Sequence, residues 1–262
     1  MKKELLIVPD VHGRQFWKDV LLYKDVPIVF LGDYVAPYTQ YEGITNEQSI
    51  EMFKEILEFR KQNPDRVTLL LGNHDMTYSV GITMCNNRVD NRNYDTIRKL
   101  FWDKTNEFQL TKGVTINGKN FLFSHAGYTK GWIKDSRELF MTENLDQIFK
   151  DWDYLNRMNN KHSDLLYRNL KATSALRGGY DMNGSPIWAD VNEHAIPQAQ
   201  QPKETDWIQV FGHTWCKQAL HGICAYEWYM LDCNKVFYID EEGNVRYLDN
   251  DKMIPTTTFT SN

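Results

Sequence analysis

The chain has 262 residues, of which 42% are hydrophobic and 25% are charged, a composition that is typical of a folded globular protein and excludes a disordered one. Its 30 Lys and Arg residues against 35 Asp and Glu residues give a formal net charge of −5, so we expect no broad basic surface and no nucleic-acid binding. The longest apolar runs are four residues, far too short to cross a membrane.

Three apolar runs near the N-terminus each end abruptly in polar residues and predict buried strands over residues 5–8, 28–31 and 67–71. Apolar residues at helical spacing over 16–21 separate the first two runs. A second helix, before the third run, begins with a capping-box pattern over 45–48. Strands that alternate with helices predict a largely parallel sheet.

The second half of the chain continues with strands at 121–123 and 207–211, each followed shortly by a histidine. Short apolar runs at 229–231, 236–239 and 245–248 predict an antiparallel meander. Between these regions, helical periodicity predicts helices over 144–158 and 163–173. We expect one domain spanning 1–262, with a helical cap insert at about 129–175.

Side chains that bind metals follow five of the predicted strands. In an open α/β sheet the carboxyl ends of the strands converge on one crevice, so we expect these side chains to meet there. Carboxylate and amide oxygens and imidazole nitrogens are ligands for manganese, iron or zinc. Each motif alone is compatible with an ordinary turn, but together they predict a site for two metal ions. The candidate ligands lie in the segments 10–13, 32–33, 72–75, 125–127 and 212–214.

The complete motif series resembles the calcineurin-like metallophosphoesterase superfamily. It is most similar to the branch of serine/threonine protein phosphatases and their bacterial and bacteriophage members, because Arg14 follows the first motif and Trp215 replaces the second histidine of many phosphodiesterases. The segment that begins at Arg177 also resembles the phosphate-clamping segment of bacterial phosphatases. The motifs are Asp10-Val11-His12-Gly13-Arg14, Gly32-Asp33, Gly72-Asn73-His74-Asp75, His125-Ala126-Gly127 and Gly212-His213-Thr214.

This resemblance implies a fold of two mixed β-sheets packed as a sandwich and flanked by helices. It implies two divalent ions, for which we expect Mn²⁺ and regard Fe or Zn as alternatives. Asp10 and His12 would bind the first ion, Asp33 would bridge both, and Asn73, His125 and His213 would bind the second. Such a pair of ions lowers the pKa of a bridging water and orients the phosphoryl group for in-line attack.

The resemblance also implies roles for residues that contact the substrate. His74 would be the general acid, and Arg177 would hold the phosphate with its planar fork. The second motif departs from the family pattern G-D-x-V-D-R-G, because Ala36 and Pro37 replace its Asp and Arg. We expect Arg14 to take over phosphate binding, with an ordinary surface arginine as the alternative. Asp75 is the nearest partner in sequence for His74.

The motifs predict a phosphomonoesterase of the protein-phosphatase-like type that acts on a phosphoprotein or a small phosphoester. A nucleotidase, a dinucleoside polyphosphate hydrolase and a non-catalytic binding module remain alternatives. We expect His162, His194 and His221 in solvent-exposed loops, and Trp132, Trp152 and Trp188 in packing or along the substrate cleft. The short apolar stretch after the basic N-terminus and the four scattered cysteines, without a C-x-x-C pair, predict a cytoplasmic protein.

Overall fold

The structure is a computed structural model that describes residues 1–79, 88–102, 107–159, 169–194 and 203–257. Its strands are β1 (Lys3–Val8), β2 (Ile28–Phe30), β3 (Val67–Leu70), β4 (Phe108–Gln109), β5 (Lys112–Ile116), β6 (Lys119–Phe123), β7 (Ile208–Phe211), β8 (Leu220–Ile223), β9 (Glu227–Met230), β10 (Phe237–Asp240) and β11 (Val245–Tyr247). Its α-helices are α1 (Thr39–Glu42), α2 (Asn46–Gln62), α3 (Asn73–Ser79), α4 (Tyr94–Trp102), α5 (Lys130–Asp135), α6 (Leu145–Lys150), α7 (Trp152–Asn159) and α8 (Val191–His194).

The strands form two mixed sheets, as predicted. The first has the order β11-β10-β1-β2-β3-β4, in which β1 to β4 are parallel, β10 is antiparallel to β1, and β11 is antiparallel to β10. The second has the order β5-β6-β7-β9-β8, with parallel central strands and an antiparallel strand at each edge. The α/β class and the parallel first half are confirmed.

The predicted C-terminal meander is confirmed only in part: its second and third runs form the antiparallel pair β10 and β11, but its first run does not join them. Strand β9 pairs in parallel with β7, whereas β10 pairs with β1 and β11, so these strands divide between the two sheets. Short apolar runs separated by turns favour hairpins locally, but the pattern does not identify the neighbour of each strand. The strands are buried on both faces, which removes the alternation that would distinguish an edge strand from a central one.

The sheets pack face to face through alternate residues of their strands. Leu5 and Ile7 of β1 belong to an apolar cluster that contains strands of both sheets, and Leu6 and Val8 belong to the cluster that contains the helices. This alternation is the period of two that a strand imposes on its side chains. The loops at the carboxyl ends of the strands of both sheets therefore meet along one edge of the sandwich.

The helices of the first half form where the sequence predicts them. In the predicted capping box, the Thr45 hydroxyl accepts a hydrogen bond from the Gln48 backbone, and the Gln48 side chain accepts one from Thr45 N–H. The first helical segment is a 3₁₀ helix, Phe16–Leu22. None of the helices within the described ranges has the length and apolar character of a membrane span.

The segment between β6 and β7 contains α5 to α8 and a short 3₁₀ helix, Ala175–Arg177. The single helix predicted over 144–158 is two helices, α6 and α7, separated at Asp151. The helix predicted over 163–173 falls largely outside the described residues. Asn156 of α7 bonds the backbone of Leu110 and Thr111, which fixes this helix beside the start of β5.

Candidate metal centre

The six predicted metal ligands converge at the seam between the two sheets. Those that follow β1, β2 and β3 come from the first sheet, and those that follow β6 and β7 come from the second. Their ligand atoms form two groups in which all atoms lie within 4.8 Å of one another, Asp10–His12–Asp33 and Asp33–His125–His213. Asp33 belongs to both groups, which is the position that a bridging carboxylate requires.

The backbone adopts unusual conformations at the seam. His12, Asp33 and His213 have φ values of 47°, 55° and 68°, in the left-handed region that residues with a side chain rarely occupy. The first two turns hold each other, because the N–H groups of Val11 and His12 both donate to Asp33 O. Such strain persists where surrounding contacts determine the conformation, and it is common at functional sites.

The carboxylate of Asp33 lies between two imidazole rings. Its Oδ2 atom is 3.5 Å from Nε2 of His12 and 3.5 Å from Nε2 of His125. Its Oδ1 atom accepts a hydrogen bond of 3.0 Å from the backbone N–H of His74. Oδ2 therefore faces the nitrogen of one histidine from each ligand group.

The hydrogen bonds of Nδ1 in His12 and His125 determine the protonation state of Nε2 in each ring. Nδ1 of His12 lies 2.9 Å from Val35 O, and Nδ1 of His125 lies 2.9 Å from Leu31 O. A carbonyl oxygen only accepts, so each Nδ1 carries the proton, and each Nε2 of a neutral ring presents a lone pair. The lone pair of each Nε2 then faces Oδ2 of Asp33, which is also an acceptor. A cation between these acceptors would stabilise the arrangement.

The second group repeats this arrangement. Nε2 of His125 lies 3.1 Å from Asn73 Oδ1 and 3.1 Å from His213 Nδ1. Nε2 of His213 is buried and has no hydrogen-bond partner among the described residues. Three ligand-type atoms from three loops thus meet at one point. The donor set is that of a divalent transition metal, and these residues fit the family's ions.

Asp10 connects the two sheets. Its Oδ1 and Oδ2 atoms accept the backbone N–H of His213 at 2.9 and 3.2 Å. The side chain is buried, as are the other ligands of the first group. One carboxylate of the first sheet therefore fixes the loop that carries a ligand of the second.

Burial shifts the pKa values of the cluster. Desolvation, followed by the charge of Asp10, raises the pKa of Asp33 well above its usual range. Desolvation also lowers the pKa values of His12 and His213, with further lowering by Arg14 and Arg177 respectively. Neutral imidazoles are the form that binds metal, and a bound cation would offset the cost of an ionised Asp33.

His74 is the second residue of α3, and its ring centroid lies 5.5 Å from that of His12. Its Nδ1 atom is buried without a hydrogen-bond partner in the described part of the chain. The expected partnership with Asp75 is wrong, because that carboxylate accepts the backbone N–H groups of Asp33, Tyr34 and Gly72. Asp75 therefore holds the loops after β2 and β3 together. Burial, and then Asp33, raise the pKa of Asp75 to about 8.

The two predicted substrate arginines have different surroundings. Arg177 donates from Nη2 to His213 O at 3.0 Å, and its Nε lies 3.0 Å from Asp190 Oδ2, so it lies against the loop that carries the predicted ligand His213. Arg14 is 8% exposed and donates from Nε and Nη2 to the two carboxylate oxygens of Glu42, at 2.8 and 2.7 Å. Its phosphate role stays a prediction.

Asp232, two residues after β9, is a further buried carboxylate near the site that we did not single out from the sequence. Its Oδ1 has no partner among the described residues, and burial and the charge of Asp10 raise its pKa. The pattern that marked the ligands, an apolar strand that ends in a polar residue, is present at Leu231-Asp232 and could have identified it. Arg88 and Tyr38, beside the first metal group, carry no such signal.

Two histidines expected in exposed loops are buried. His194 bonds Tyr226 and Ala126 O, and desolvation lowers its pKa to about 4. His221 bonds Glu227 and stacks on Tyr229 at 4.2 Å. The polar residues next to these histidines in sequence suggest exposure, whereas several of the partners that bury them are distant along the chain. His162 lies outside the described residues.

Of the three tryptophans, Trp188 lies nearest to the predicted ligands, with its ring centroid 5.6 Å from that of His213. Trp132 is buried in the helical core, and Trp152 packs on Gly113 of β5.

The chain is similar to one protein family in sequence and, more distantly, to solved structures. The sequence pattern of calcineurin-like phosphoesterases matches residues 4–216. No curated protein sequence matches. A solved structure of Yfce, a phosphoesterase from E. coli, aligns with a TM-score of 0.41 and 11% identity over 96% of both chains. A protein serine/threonine phosphatase from Saccharomyces cerevisiae aligns with a TM-score of 0.47 and 12% identity, over 97% of this chain and 80% of that one.

The sequence match spans all of the strands and loops that contribute ligands to the seam. Members of this family use two divalent metals, in agreement with the two ligand groups that share Asp33. The chain therefore belongs to the calcineurin-like phosphoesterase family and is a phosphoester hydrolase.

Proposed function

We propose that the protein is a phosphomonoesterase of the serine/threonine protein phosphatase-like type that uses two divalent ions, with Mn²⁺ as the native metal. The observation that best supports this metal site is the position of Asp33 Oδ2, which lies 3.5 Å from the Nε2 atoms of both His12 and His125. An ionised carboxylate has two oxygens and about four lone-pair sites, so Asp33 could be shared by two cations.

The first ion would be held by Asp10, His12 and Asp33, and the second by Asp33, Asn73, His125 and His213. Ions bound there supply Lewis-acid stabilisation of the phosphoryl oxygens and a lowered pKa for water. The carbonyl groups of Val35 and Leu31 orient two of the imidazoles for this task through hydrogen bonds to Nδ1.

We assign proton donation to His74 and phosphate binding to Arg177. The buried Nδ1 of His74 has no hydrogen-bond partner among the described residues, and the centroid of the His74 ring lies 5.5 Å from that of the predicted ligand His12, which supports a role as proton donor. A bound phosphate dianion would raise the pKa of this ring and favour its protonated form. Arg177 is oriented by His213 O, at the rim of the second metal group.

Two broader expectations belong to the same proposal. We infer a cytoplasmic enzyme, which the free thiols of Cys216, Cys224 and Cys233 support. We also infer that residues 129–175 form a cap beside the site. Their helices lie between β6 and β7, the strands whose ends carry His125 and His213.

The test of the activity is a panel of substrates supplied with Mn²⁺. We expect hydrolysis of phosphoserine peptides and of alkyl and aryl phosphomonoesters, and no hydrolysis of phosphodiesters. Preference for nucleoside monophosphates or dinucleoside polyphosphates would replace the proposal with a nucleotidase or a dinucleoside polyphosphate hydrolase. Full metal occupancy without hydrolysis of any member would indicate a binding module.

The test of the metal site compares two variants. Asp33→Asn removes a ligand from both groups, whereas His12→Asn leaves the second group complete, so we expect the larger loss of bound Mn²⁺ and of activity from Asp33→Asn. Glu58→Gln, on the exposed face of α2, is the control for removal of a carboxylate. Equal losses of metal in the two site variants would contradict a bridging role for Asp33.

A further inference from the structure

The loop after β2 has no charged side chain of its own between Asp33 and the start of α1. An arginine from a distant segment contacts it instead. Arg88, which lies 52 residues further along the chain than Ala36, donates from Nη2 to Ala36 O at 2.8 Å. Its guanidinium carbon lies 3.8 Å from the centroid of the Tyr38 ring. Ala36 has a φ of 61°, so the loop takes a strained conformation where Arg88 contacts it.

A series of ring contacts connects Arg88 to the metal site. The Tyr38 ring meets the His12 ring edge to face at 5.0 Å between centroids, and the His12 ring meets the His74 ring at 5.5 Å. Arg88 therefore lies over the aromatic neighbour of a metal ligand. Its positive charge also contributes to the lowered pKa values of His12 and His74, as expected for a cation close to both.

Arg88 is accessible to a ligand, which distinguishes it from Arg14. Arg88 is exposed, whereas Arg14 is 8% exposed and its fork is paired with Glu42 at 2.7 and 2.8 Å. A guanidinium carries five N–H donors; within the described residues, Arg88 uses one on Ala36 O and also bonds the side chain of Tyr38. Stacking on Tyr38 restricts the side chain, so less conformational freedom is lost when the remaining donors bind an anion.

We propose that Arg88 is a phosphate-binding residue of this site, held in place by Tyr38 and Ala36, and that it takes the role which the sequence analysis assigned to Arg14. The inference deepens the proposed function, because its ligand is the phosphoryl group of a phosphomonoester. A planar fork suits phosphate better than an ammonium group does, since it donates two parallel hydrogen bonds.

The experiment measures the binding of inorganic phosphate to the Mn²⁺-loaded protein by calorimetry, together with metal content and steady-state kinetics. We expect Arg88→Ala to weaken phosphate binding by about tenfold or more, because a charge-assisted hydrogen bond is lost. KM should rise while metal content stays at the wild-type value. Arg88→Lys should recover part of the affinity, since it keeps the charge and loses the fork.

Arg98→Ala is the matched control, because Arg98 also stacks on an aromatic ring, that of Trp102 in α4, at 5.1 Å. We expect it to bind phosphate as the wild type does. An Arg88→Ala protein that also keeps wild-type phosphate affinity would overturn the inference, and so would one that loses its metal. The larger loss of affinity in Arg14→Ala would assign the role to Arg14 instead. A wild type that binds phosphate but hydrolyses no phosphoester would contradict the proposed function and leave the role of Arg88 intact.

Discussion

At the scale of single residues, the backbone determines which nitrogen of His12 and of His125 is available to a metal. His12 and His125 use Nδ1 on the carbonyl groups of Val35 and Leu31, so Nε2 faces Asp33 in both. If another metal-binding side chain replaced His12 or His125, the hydrogen bond from Nδ1 to the backbone carbonyl that orients the ring would be lost. Hydrogen bonds of this type typically affect metal affinity by about 10- to 100-fold.

The role of His74 is tested by the chemistry of the leaving group. An alkyl phosphate expels a basic alkoxide that needs a proton, so His74→Asn should reduce phosphoserine hydrolysis by about 10²- to 10⁴-fold. Nitrophenolate leaves without protonation near neutral pH, so hydrolysis of nitrophenyl phosphate should be largely preserved. Initial rates with both substrates, at equal metal content, provide the measurement.

The comparison contains its own control, since both substrates use the same metals and the same phosphate contacts. If His74→Asn slows the two substrates equally at full metal occupancy, His74 orients the phosphate or supports the loop. Its backbone N–H bond to Asp33 Oδ1 persists in the variant and keeps the bridging carboxylate in place.

At the scale of elements, two glycines that follow strands leave space for the carboxylates of the candidate site. Gly212 lies against Asp10, and Gly72 lies against Asp33. A Cβ atom on Gly212, directly after β7, would lie 2.1 Å from Asp10 Oδ1, and its next contact is at 3.3 Å. A Cβ atom on Gly72, after β3, would lie 2.2 Å from Asp33 Oδ1 and 2.7 Å from the Asp33 backbone nitrogen. The first position crowds only the end of a side chain, whereas the second also crowds backbone.

We therefore expect Gly212→Ala to fold and to bind less metal, because the added methyl group displaces the Asp10 carboxylate. Circular dichroism should resemble that of the wild type, while bound Mn²⁺, measured by elemental analysis, should fall. Gly118→Ala, in the turn between β5 and β6, adds the same methyl group with no atom within 4 Å and a φ of 74°. This control should cost about 1 kcal/mol of stability and no metal. Full metal occupancy in Gly212→Ala would show that Asp10 tolerates the shift.

At the scale of the whole molecule, the candidate metal centre contains residues from both sheets. Four of the six ligands follow strands of the first sheet, and His125 and His213 follow strands of the second. A bound ion therefore connects the halves of the sandwich in addition to the apolar cluster between them. Binding to the folded state alone stabilises it by mass action.

We expect Mn²⁺ at about 100 times its Kd to add about 2.7 kcal/mol to the free energy of unfolding. Urea unfolding with Mn²⁺ and with EDTA measures the difference. Asp33→Asn should lose most of this increment, because Asp33 belongs to both ligand groups. An unfolding curve that is unchanged by saturating Mn²⁺ would contradict a metal site formed only in the fold.

Much of the fold could be predicted from the sequence. The strands that precede the ligands and the capped helix α2 lie within a few residues of their predicted positions, because period, caps and breakers are local signals. The pairing of β9 with β7 was missed, since it depends on which sheet has room for another strand. The break at Asp151 was also missed, because the apolar face continues across it.

The types and order of the candidate ligands can be predicted from the sequence, because each of these side chains follows an apolar strand and parallel strands end on the same side. Only the tertiary structure decided which partners these residues have. It paired Arg14 with Glu42, used Asp75 to hold two loops, and placed Arg88 on Tyr38. The physical reason is that a hydrogen bond or a ring contact depends on distances of a few ångströms between segments far apart in the chain. No periodicity of the sequence records those distances.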